Sequence, residues 1–64
     1  MKPVRLVQLS PNWWDVICAE HFLCAEINYD AESGFYFVSF AGDLETEHFR
    51  TFAEARAYAM GGEP

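Results

Sequence analysis

Apolar and polar positions alternate from Phe22 to Tyr29. Leu23, Ala25, Ile27 and Tyr29 share one parity; Phe22, Cys24, Glu26 and Asn28 share the other. A period of two is the signature of a strand with two distinct faces, so a strand is predicted here. Phe35 to Phe40, FYFVSF, is aromatic and β-branched throughout and predicts a second strand. Asp30-Ala31-Glu32-Ser33-Gly34 between them predicts a hairpin loop with glycine at its end. Ala41-Gly42-Asp43-Leu44 turns the chain again, and Glu45 to Phe49 predicts a short further strand. Its charges suit a sheet edge, where they discourage pairing with other chains.

The two ends are less alike. Val4 to Leu9, VRLVQL, predicts a first strand or extended arm. Ser10-Pro11 resembles a helix start, with serine at the N-cap and proline in the first turn. A short helix from Asn12 to Glu20 is one reading; an extended WDVIC segment is the other. Trp13 and Trp14 point about 100° apart in a helix and to opposite faces in a strand. In neither case can both sit at the centre of one core. Either both pack at its margin, or one is exposed and anchors an interface.

Thr51-Phe52-Ala53-Glu54 fits the capping box of a helix, and Ala53, Ala55, Ala57 and Ala59 favour its continuation. Gly61-Gly62 ends it. Phe52, Ala55 and Ala59 form a narrow stripe that can lie on a sheet, with Tyr58 beside it. The predicted fold is α+β: a small antiparallel sheet of three to four strands packed against a C-terminal helix. A short helix after Ser10-Pro11 is the optional addition. Residues 1–64 read as a single compact domain without repeat or linker.

Composition sharpens this picture. A chain of 64 residues buries only about 60% of the surface it exposes when unfolded. Eleven residues are Phe, Trp or Tyr, enough to build a core without metal or disulfide and more than so small a core readily hides. Met1-Lys2-Pro3-Val4-Arg5 opens no long apolar run, so a cytoplasmic, reduced protein without a membrane segment is expected.

Charge changes the picture more. The net charge is −6, which disfavours direct binding to nucleic acid or anionic membranes. No Lys or Arg occurs between Leu6 and Phe49, whereas that interval holds Asp15, Glu20, Glu26, Asp30, Glu32, Asp43, Glu45 and Glu47. Acidity kept for solubility alone accounts for such a run; so does an anionic face recognised by a basic site on another protein.

The chemical readings are weaker. Cys18, His21 and Cys24 outline a zinc knuckle, but the spacing is loose and a fourth ligand is lacking. Two reduced thiols are expected; a disulfide requires Cα atoms within about 7 Å. A Cys–His pair using His48, or an Asp43–Glu45 acid–base pair, has no local signature. Gly34, Gly42, Gly61 and Gly62 are scattered, not a phosphate loop. The expectation is a non-enzymatic protein without catalytic residues, metal or cofactor.

In a strand, Asp43, Glu45 and Glu47 would project on one side about 6.8 Å apart. Asp30 and Glu32 occupy the tip of the neighbouring hairpin. Were edge and hairpin to face the same way, five fixed carboxylates would imitate the phosphates of a duplex. Asp15, Glu20 and Glu26 form a second tier.

With its acidic loop EINYDAESG and acidic edge GDLETEHF, the chain resembles the small phage-encoded anti-CRISPR proteins of the DNA-mimic type. The likeness is to those that block type I effector complexes, type I-C among them. It lies in size, acidity and outline, since that group shares no diagnostic motif. The resemblance implies a monomeric inhibitor in the bacterial cytoplasm. Its implied partner is a basic nucleic-acid-binding protein, the large DNA-recognising subunit of the effector, whose arginines Asp30, Glu32, Asp43, Glu45 and Glu47 would occupy. The alternative is a generic acidic interaction or regulatory module anchored by its aromatics.

Overall fold

Residues 4–18 and 23–61 are described by a computed structural model. Five strands, β1 (Arg5–Ser10), β2 (Trp13–Ile17), β3 (Leu23–Asp30), β4 (Phe35–Phe40) and β5 (Thr46–Phe49), precede one helix, α1 (Phe52–Ala59). The strands form one antiparallel sheet in the order β1-β2-β3-β4-β5. Each pairs with its neighbour in sequence, the simplest way to satisfy backbone groups with short connections.

The expected α+β class is therefore present, with five strands where three to four were expected. The difference lies after Ser10-Pro11, where the optional helix gives way to β2. Pro11 and Asn12 form the turn between β1 and β2, and the Asn12 N–H donates to Ser10 Oγ at 3.3 Å. Proline there shapes a hairpin turn instead of a first helical turn. The β-branched and aromatic content of WWDVI agrees with the outcome.

In the next hairpin, Asp30 organises the turn. Its backbone carbonyl accepts from the Gly34 N–H at 2.7 Å. Its carboxylate accepts from the Glu32 N–H at 3.3 Å and from Ser33 Oγ at 3.0 Å. Gly34 has φ +79°, a left-handed conformation that glycine adopts without steric cost.

The helix starts where the capping box placed it. Thr51 is the N-cap, and its side chain accepts from the Glu54 N–H at 3.1 Å. Ala55 and Ala59 are buried, and their small side chains let α1 lie close to β3, β4 and β5. Val16, Ala25, Ile27 and Val38 complete the buried core. Aromatic rings seal its margins: Trp14 stacks 4.7 Å from Phe52, Phe40 lies 5.3 Å from Tyr58, and Phe49 lies 5.1 Å from Tyr58. Such pairs add about 0.5–1.5 kcal/mol each beyond their area.

Cys18 and Cys24 are not reduced thiols. They form a disulfide with Cα atoms 5.7 Å apart, inside the roughly 4.4–6.8 Å span of such bridges. The pairing register explains how they meet. Val16 pairs with Ala25 and Ile17 with Leu23, which leaves Cys24 as the extra residue of a bulge. Cys18 directly follows β2 and comes opposite it. No helix among the described residues is long and apolar enough to cross a membrane.

Candidate functional site

One helix covers one face of a sheet. Strands lie about 4.8 Å apart, so five of them present two broad faces, and α1 packs on one. Alternation assigns the residues. Trp14, Val16, Ala25, Ile27, Tyr36 and Val38 belong to the covered face, because Val16, Ala25, Ile27 and Val38 are buried with the helix. Their neighbours in sequence belong to the open face, except Cys24, which sits at the bulge and packs against the core.

Two rows of paired residues cross that open face from edge to edge. Val7, Asp15, Glu26, Ser39 and Thr46 form the first; Ser10, Trp13, Asn28, Phe37 and His48 form the second. Beyond the first row lie Arg5, Ile17 and Leu23. Beyond the second lies Phe35, paired with Asp30. Aromatic contacts run along one end: Phe35 is 5.0 Å from His48, Phe37 is 6.0 Å from it, and the Arg50 guanidinium sits 5.8 Å from the Phe35 ring. At the other end Val7, Trp13 and Leu23 are exposed, Trp13 by 40%.

Asp15 and Glu26 face each other in the middle of the first row. Directly opposed residues of an antiparallel pair bring their Cβ atoms to about 4.5–5.5 Å, and like charges there are destabilising. Asp15 Oδ1 is covered and has no hydrogen-bond partner among the described residues. A carboxylate oxygen without a donor is costly. Two opposed carboxylates thus occupy the middle of this face, with Arg5 and Ile17 beyond them and Trp13 and Asn28 in the neighbouring row.

The first-tier acids are arranged differently from the expected line. Asp30 and Glu32 sit at the β3–β4 turn, whereas Asp43 and Glu45 sit in the connection after β4. Six residues of β4 separate the two groups, roughly 20 Å at strand rise. The segment from Asp43 to Glu45 is outside any strand, so no strand alternation aligns these side chains with Glu47. Asp43 Oδ1 instead accepts from the Glu45 N–H at 3.3 Å. Between them Leu44 is fully exposed. Glu47 pairs with Val38 and belongs to the helix-side row, away from Asp15 and Glu26. The structure therefore brings together two second-tier acids, Asp15 and Glu26, and separates the first tier into three places. Glu20 and His21 lie outside the described residues.

The zinc outline loses both of its sulfur ligands to the disulfide, and no His/Cys/Asp/Glu group among the described residues is arranged to hold a metal. Sequence reasoning undervalued Phe35 and Phe37. The signal for them was present: FYFVSF is apolar on both parities, while a single helix can bury only one. Comparison with protein-family models, with characterised proteins and with solved structures finds no match to this chain.

Proposed function

We propose that this protein is a non-enzymatic binding module that docks its open sheet face on a basic surface of another protein. One observation carries the reading: the opposed Asp15–Glu26 pair stands on the sheet face away from α1, which also bears the exposed Trp13 and the half-buried Ile17, Phe35 and Phe37. Exposed apolar surface around a charged centre suits a desolvated contact with a cationic partner. The net charge of −6 would steer such a partner in at long range.

A second reading is the anti-CRISPR inhibitor implied by the resemblance, a DNA mimic that blocks target binding by an effector complex. The exposure of Asp30, Glu32, Asp43, Glu45 and Glu47 supports it. In that form the loop carboxylates, not the open face, would carry the affinity.

Retention of proteins from a bacterial lysate on the immobilised chain, at about 50 and about 200 mM salt, tests the proposal. A basic partner retained by the native protein and lost by a Trp13→Ala/Asp15→Asn/Glu26→Gln variant supports open-face docking. A partner that the variant still retains, but that charge removal in the two loops releases, supports the DNA mimic. Turnover of a substrate by the purified chain would overturn both.

A further inference from the structure

We infer that the Cys18–Cys24 bridge is a redox-operated register switch. Oxidised, it holds the bulge that ends the β2–β3 ladder; reduced by a dithiol, it lets that ladder close in regular register. Val16 pairs with Ala25, so a regular antiparallel ladder would next pair Ile17 with Cys24 and Cys18 with Leu23. Alternation would then send the two cysteine side chains to opposite faces of the sheet, where no bond joins them. The observed pairing is instead Ile17 with Leu23, which leaves Cys24 as the extra residue. In that register the two Cα atoms lie 5.7 Å apart and the sulfurs are bonded. The bridge therefore needs the bulge. A bulge leaves one residue unpaired, so without the bridge nothing in the ladder favours keeping it.

The change is confined to the end of the β2–β3 ladder. The Cys24 carbonyl accepts from the Ala41 N–H at 2.8 Å, which continues the register in which Ala25 pairs with Phe40. β3 thus stays on β4 through the bulge. The buried core of Val16, Ala25, Ile27, Val38, Ala55 and Ala59 contains neither cysteine, so the sheet and helix persist when the bridge opens. A one-residue change of register moves side chains to the other face. Leu23 is 40% exposed beside Ile17; in regular register it passes to the helix side, next to the row of Leu6, Val16, Ala25 and Phe40. Cys24, which packs against the core in the bulge, takes its place beside Ile17. Reduction thereby exchanges a leucine for a thiol on the open face, whatever partner that face meets. Both cysteines are half-buried, within reach of an attacking thiolate. A thiolate of the dithiol attacks one sulfur to form a mixed disulfide, and its second thiol displaces the protein. The reductant leaves as its own disulfide, and two electrons and two protons pass to Cys18 and Cys24.

The test compares the full chain oxidised, reduced with dithiothreitol and reoxidised with oxidised glutathione, by nuclear magnetic resonance without denaturant. Reduction is expected to abolish the Ile17–Leu23 cross-strand backbone contact and to create Ile17–Cys24 and Cys18–Leu23 contacts. Two thiols should then titrate per chain, and reoxidation should restore the first contact. The Ala41 amide should stay protected from exchange in both states. Cys18→Ser/Cys24→Ser should show the reduced pairing under either condition. A reduced chain that keeps the Ile17–Leu23 contact overturns the switch, because the bulge then belongs to the strands themselves. Loss of both pairings on reduction overturns it too, since no second register forms. A bridge that dithiothreitol opens only in urea, or a sheet that unfolds with loss of Ala41 protection, also overturns it, because the bridge is then a fixed staple.

Discussion

Trp13 and Trp14 are consecutive in the chain and belong to opposite faces of the sheet. Trp14 lies 4.7 Å from Phe52 and 6.2 Å from Tyr36 on the helix side, while Trp13 is exposed on the other. Their substitutions should therefore separate stability from binding. Trp14→Ala is expected to cost about 3 kcal/mol in urea unfolding, as for large core truncations. Trp13→Ala should cost under about 0.5 kcal/mol, in the range of surface changes, yet weaken binding to a basic partner. Similar stability losses for the two variants would show that Trp13 also supports the fold.

The Asp15–Glu26 pair should trade stability for binding. Replacing both by Asn and Gln removes two like charges set directly opposite each other. A gain of about 0.5–1 kcal/mol is expected, read as a higher urea midpoint. A loss of that size would mean that the carboxylates are satisfied in the isolated fold.

The disulfide closes a short loop, so its contribution is modest. For a loop of six or seven residues, chain entropy gives about 2 kcal/mol. Cys18→Ala/Cys24→Ala should lower the melting temperature by on the order of 10 °C relative to the oxidised protein. An unchanged melting temperature would contradict the bridge. Under reducing conditions the native chain should approach the variant.

The helix depends on its N-cap. Thr51→Ala removes the acceptor of the Glu54 N–H and should cost about 1 kcal/mol. Thr51→Ser should recover most of it. Equal loss in both variants would place the effect in the threonine methyl group instead of the hydroxyl.

The fold was legible wherever a single local signal dominated. The Thr51 cap, the alanine stripe of α1 and the strand of FYFVSF follow from propensity and period. Residues 11–17 carried two signals. Ser10-Pro11 fits a helix start and a hairpin turn equally, and only pairing with β1 and β3 decides between them. The disulfide depends on a bulge at Cys24, a property of register that spacing alone does not reveal. The site was legible in composition and not in position. Excess aromatic residues and the acidic interval pointed to a binding face. Which acids share that face depends on where each strand begins, and Thr46, not Glu45, begins β5.

In the proposed function the open face, not the acidic loops, carries binding to a basic partner. Comparing octa-arginine affinities of two variants at one salt concentration tests it most directly. Asp15→Asn/Glu26→Gln removes two charges from the face; Asp30→Asn/Glu32→Gln/Asp43→Asn/Glu45→Gln removes four from the loops and keeps turn-compatible side chains. The two-charge variant is expected to lose more affinity than the four-charge variant. A larger loss from the loops would contradict it and favour the DNA-mimic reading.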